Sequence, residues 1–148
     1  MDWNEALEEE RAALGRIVAL LCALAVLAER AAGRSPVVRS VVLWLLRRAE
    51  AVARDFVEGD TVCGAMPVVR AGTGPADAMR LAASLRALAR QLDRQARLFF
   101  ASCRLANCEA AASPFVRMPA LRDALGSLLR LAAAALGAPH LSPAPDTS

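Results

Sequence analysis

Arginines recur along one stretch of this 148-residue chain at a spacing that could grip phosphate: Arg86, Arg90, Arg94, Arg97 and Arg104. At about 100° per residue they fall within a sector of roughly 80° on one helix. Guanidinium groups aligned in this way can meet the phosphates of nucleic acid or of anionic lipid. Nucleic acid is the poorer fit, because Asp93 stands inside the stripe and no Trp, Tyr or Phe interleaves with it to stack on bases. The plainer expectation is a solvated helix face, partly neutralised by acids of the first helix such as Glu8–Glu10.

The other reactive side chains make weaker constellations. A thiolate nucleophile needs a base beside it. Cys63 has Asp60 close in sequence, but the single histidine, His140, stands in a Pro- and Ser-rich tail. Cys103 and Cys108 point about 140° apart on a helix, too divergent for a disulfide or a shared zinc ion. Cys22 and Cys103 fall on apolar surfaces and read as small buried hydrophobes. Gly72-Thr73-Gly74 could open a phosphate-binding helix start, but it lacks the P-loop lysine and no strand precedes it, so a helix cap is expected. The acids Glu8–Glu10, Glu58 and Asp60 have no helical His to complete a carboxylate-bridged metal site and read as surface charge. The sequence therefore assigns no catalytic residue, cofactor or metal ligand, and a non-enzymatic protein is expected.

Four helices are expected to position these groups. The first, about 2–32, opens with Asp2 and Glu5 as a capping pair. It carries Ile17–Ala28, twelve residues without a charge, with Leu14, Ile17, Leu20, Leu21, Leu24 and Leu27 on one side and a small-residue back of Val18, Cys22, Ala25 and Val26. Gly33-Arg34-Ser35-Pro36 ends it and starts the second helix, about 36–58, predicting an antiparallel hairpin. On that helix Val38, Val41, Val42, Leu45, Ala49, Val52, Ala53 and Phe56 form the apolar face, and Arg39, Arg47, Glu50 and Arg54 the opposite one. Leu43 and Trp44 fall among the polar positions and imply a second contact surface. Residues 59–74 lack a helical period and read as a functional or mobile loop. The third helix, about 75–110, buries Leu81, Leu85, Leu88, Leu92, Ala96, Phe99 and Cys103, with Phe100 widening its face. The fourth, about 119–136, buries Leu121, Leu125, Leu128, Leu129, Ala132 and Leu136. Residues 138–148 read as a disordered tail.

Composition supports the same class. The chain is 56% hydrophobic, much of it alanine, with 4% aromatic residues and no Tyr, which favours an all-α fold. All 18 basic residues are Arg, a usage and an alanine excess typical of GC-rich coding, and the net charge of +3 is too mild to mark a nucleic-acid binder. An acidic N-terminus argues against a secretory signal, so four reduced cysteines and a cytoplasmic location are expected.

The chain is thus expected to be a compact four-helix bundle-like domain over residues 1–137. Its leading function is a protein-interaction or self-associating module. The candidate surface comprises Leu43, Trp44, Phe100, Val18 and Cys22, whose apolar area exceeds what four helix faces need. Two rivals stand beside it: a membrane-associated protein anchored by the hydrophobic hairpin 17–46, and an enzyme using loop 59–74 around Cys63. A span needs about twenty apolar residues, more than Ile17–Ala28 supplies.

Overall fold

A computed structural model describes residues 3–58, 72–106 and 117–137. The expected all-α bundle is the observed fold: α1 (Trp3–Ala32), α2 (Pro36–Glu58), α3 (Pro75–Ala106) and α4 (Met118–Gly137) pack against one another. The local stops work as their residues dictate. The Arg34 amide returns to the Ala31 carbonyl at 3.0 Å, closing α1, and the Ser35 carbonyl accepts the first α2 bond from the Arg39 amide at 2.9 Å. Pro36 then needs no partner for its nitrogen. The Asp2–Glu5 capping pair, residues 107–110 of the expected third helix and the tail 138–148 lie outside the described residues.

The packing order differs from the chain order. α1 packs most extensively along α3, α2 along α4, and the two sequence neighbours α1 and α2 share the slightest of the interhelical contacts. Around the bundle the helices follow one another as α1, α3, α2, α4, and α3 and α4 make no close backbone approach among the described residues. α1 and α3 run antiparallel: Glu29 near the end of α1 meets Arg86 early in α3, while Leu14 and Gly15 share a groove with Phe100 and Ala101.

The core explains why α1 can carry so apolar a stretch. Leu14, Ile17, Leu21, Leu24, Leu27, Ala25, Ala28 and Ala31 are buried, joined by Leu81, Leu85, Leu88 and Leu92 from α3 and Leu121 and Leu125 from α4. The alanines let neighbouring backbones approach, and the leucines fill the space between. Leu20, Leu128 and Leu129 pack at the core margin.

On α2 the structure corrects the expected face. Leu43 is fully buried, with 0% exposure, whereas Val41 is 47% exposed. The buried set of α2 runs from Leu45 through Ala49, Val42, Ala53, Leu46 and Val57 to Leu43. At 100° per residue that sector is about 160° wide. A helix wedged between two neighbours, here α3 and α4, buries a broader sector than one laid on a single partner. Leu43 therefore leaves the candidate interaction surface and joins the core.

Adjacent substitutions should separate the two roles. Leu43→Ala should destabilise the fold by about 2–5 kcal/mol, and Trp44→Ala should change it by no more than about 0.5 kcal/mol. Urea denaturation followed by circular dichroism measures both.

Candidate functional surfaces

The first surface is the turn that leads into α3. Gly74 takes the N-cap position, its carbonyl accepting from the Asp77 amide at 3.1 Å and the Ala78 amide at 3.2 Å. Asp77 answers by accepting from the Gly74 amide at 3.0 Å through Oδ2. This is the returning half of a capping box, and the carboxylate stands where a phosphate would have to bind. Two α2 arginines fix the turn from outside. Arg39 Nε donates to the Thr73 carbonyl at 2.6 Å and its Nη1 to the Arg34 carbonyl at 3.0 Å, while Arg47 donates to the Gly72 carbonyl. Gly72-Thr73-Gly74 is accordingly a cap, as its residues indicated, and Arg39 and Arg47 are clamps on backbone rather than free cations.

The second surface is the arginine stripe. Its first member, Arg86, donates to the Glu29 carboxylate across the α1–α3 seam. That hydrogen bond, with the opposite charge adding to it, holds Glu29 below the usual carboxylate range against a desolvation that would raise it. The same bond holds Arg86 above its ordinary value. The acid meeting Arg86 is Glu29 and not one of Glu8–Glu10, because the antiparallel register places the start of α1 beside the end of α3. Arg97 pairs with Asp93 one turn earlier at 2.9 Å. Arg90 and Arg94 are exposed, and the side chain of Arg104 lies outside the described residues. Half of the described stripe is thus occupied by ion pairs.

The third surface is a groove of about 450 Å³ between α1 and α3. Its apolar lining includes Leu14, Val18, Ala96 and Phe100, with Arg11, Arg97 and Asp93 among its polar groups. Val18 and Phe100, singled out separately in the sequence, come together here. Both are only partly exposed; Phe100 packs on the core and stands edge-on to Phe99, with ring centroids 5.5 Å apart. Cys22 is exposed, against the expectation of a buried thiol and as a member of the candidate surface must be, while Cys103 is buried as expected. Ala25, on the same small-residue back of α1, is fully buried.

The fourth surface is the outer face of α2. Trp44 is 64% exposed and Val37 75% exposed, and Val41 completes the row at i, i+4 and i+7. Val41, expected on the apolar face of α2, is instead 47% exposed, and Val37 stands beside it. Their common spacing from Trp44 was the available signal, since −3 and −7 share a helix face with it. Val26, Met79, Leu98 and Leu131 are exposed singly on the other helices.

Among the described residues no group of three His, Cys, Asp or Glu side chains could hold a metal ion. Cys63, Cys108, His140 and most of loop 59–74 lie outside the described residues. Comparison with known protein families, curated proteins and solved structures finds no match to this chain.

Two predictions follow from this geometry. A Cβ at Gly72 would occupy the space of the Asp77 carboxylate. Gly72→Ala and Asp77→Ala should therefore each cost about 1 kcal/mol through loss of the same cap, and the double variant should cost little more than the worse single, as read by urea denaturation. For Glu29, the depressed folded-state pKa means that its stabilisation is present above the ordinary carboxylate value and is lost as pH falls through the folded value. The stability gap between the native chain and Glu29→Gln should be open at neutral pH and narrow as the solution is acidified below the ordinary carboxylate value, measured as denaturation midpoints across a pH series.

Proposed function

We propose that this chain is a non-enzymatic helical docking module, which engages a partner surface through the outer face of α2. The observation that supports this is the row Val37, Val41 and Trp44. Its helix already buries a sector of about 160° in the bundle, so these side chains have no packing role left to fill. An exposed tryptophan flanked by aliphatic residues is the composition of a contact centre. The partner classes expected from the sequence, another protein, a second copy or a membrane, all use such a face.

A second reading keeps one specific observation in its favour. The Glu5–Ala32 stretch of α1 is long and apolar enough to cross a membrane, with a mean hydropathy of 2.0 in its most apolar window. That supports anchoring by the hairpin 17–46. Insertion in that form requires α1 to leave α3 and α4, the helices it packs against most extensively, and to expose Leu21 and Leu24, now fully buried.

The docking reading is tested on whole-cell extract, resolved by gel filtration and by flotation with membranes. The native chain should run in an associated fraction, and Val41→Ser/Trp44→Ser should shift it to a free monomer with unchanged helicity. A native chain found wholly as free monomer overturns the reading. An associated fraction that ignores the double variant but needs detergent for release supports the hairpin anchor instead.

A further inference from the structure

Resting on the docking reading of α2, we infer that the occupant of its outer face is an anionic lipid surface, on which the N-terminal half of the helix lies flat. Val37, Val41 and Trp44 form the apolar row, and exposed Arg48 continues it one turn further on. The four side chains span about 16 Å along the axis. Between Glu29 and Glu50 the sequence holds Arg30, Arg34, Arg39, Arg47 and Arg48 and no acid. Arg39 and Arg47 are committed to the carbonyls of Thr73 and Gly72. Arg30, Arg34 and Arg48 are exposed and enter no ion pair among the described residues. An indole settles at the depth where headgroups meet acyl chains, aliphatic neighbours enter beside it, and guanidinium groups with long stems reach lipid phosphates from the rim. The row supplies each of these parts in one line.

A second copy fits this face less well. Antiparallel pairing centred on Val41 sets Arg48 against Arg34 of the second copy, and parallel pairing sets Arg48 against its own counterpart. A shifted register that pairs Arg48 with Asp55 carries Val37 and Val41 past the end of the facing helix at Glu58. Area points the same way. A stable dimer buries about 800 Å² per partner, and one Trp of about 150–250 Å² with two valines falls well short of it. A bilayer makes no such demand, since the anionic surface adds long-range attraction for each arginine.

Co-sedimentation of the purified full-length chain with vesicles tests the inference, using phosphatidylcholine alone and phosphatidylcholine with about one third phosphatidylglycerol. The chain should bind the anionic vesicles, not the neutral ones, and release as salt rises from about 0.1 M to about 0.5 M. In a Trp3→Phe background, Trp44 fluorescence should shift to the blue on binding. Trp44→Ser should weaken binding by about tenfold or more, and Arg34→Gln/Arg48→Gln by about tenfold or more, each with native helicity by circular dichroism. Equal binding to neutral vesicles, binding indifferent to Trp44→Ser, or no binding to anionic vesicles overturns the inference. A chain that ignores vesicles but sediments as a dimer lost in Trp44→Ser overturns the lipid surface and leaves the docking reading standing. A chain that does neither overturns the lipid surface, and the extract assay then decides the docking reading on its own.

Discussion

Covering the Ile17–Ala28 stretch is the constraint on which the rest of this structure depends. Left to water, its leucine face would be among the larger apolar surfaces of the chain. α3 and α4 cover it from two sides, and the other packing choices follow. α3 must run the full length of α1 in the opposite direction, which brings Arg86 to Glu29 at one end and Phe100 to Val18 at the other. α2 is then placed across the bundle from α1, between α3 and α4, where it needs a broad apolar sector of its own. Leu43 belongs to that sector, and Trp44, one residue on, falls outside it.

Polar groups are used at the margins of this core rather than within it. No polar or charged residue is buried among the described residues. Arg39 and Arg47 extend from α2 to the carbonyls of the turn before α3, so their stems lie along the bundle and their heads close its end. Ser84 of α3 joins α2 by donating to Glu50, while Arg54, which pairs with Glu50 along α2 at 2.8 Å, also donates to the Ser84 hydroxyl at 3.5 Å. These exposed or half-exposed contacts add little stability individually. Their effect is on register, since the Arg39, Arg47 and Ser84 contacts each link fixed points on two elements.

Much of the fold was legible in the sequence because its punctuation is local. Gly33-Arg34-Ser35-Pro36 and Gly74-Pro75 place helix ends by backbone chemistry that no tertiary contact overrides. The α3 leucines were equally plain, since that helix shows one clean apolar face. The α2 face was misread only at its edges, because its apolar positions extend past the buried sector: Val38, Val52 and Phe56 pack at the core margin as expected, while Val41 beside them is exposed and Leu43 at the far edge is buried. Only the position of both neighbours decides between them, and that is information held by other helices. The reach of Arg39 and Arg47 was hidden for the same reason, because a polar face looks solvated until the turn it touches is placed. The candidate surface was therefore half readable, with Trp44 correctly exposed and Leu43 not.

The crossed arrangement of the helices also sets the order in which this chain can become protected during synthesis. α1 ends at Ala32, but its principal partner does not begin until Pro75, and α4 comes later still at Met118. A ribosome-bound chain that has released α1 and α2 still lacks the α3 and α4 leucines that complete the core around α1. The first half cannot close on itself, because α2 contributes the least to covering α1. Folding must wait for contacts distant in sequence, which is a slow route for so helical a protein. Throughout that interval α1 remains an incompletely covered apolar helix, and transiently exposed surface of this kind is what makes a folding chain prone to aggregate.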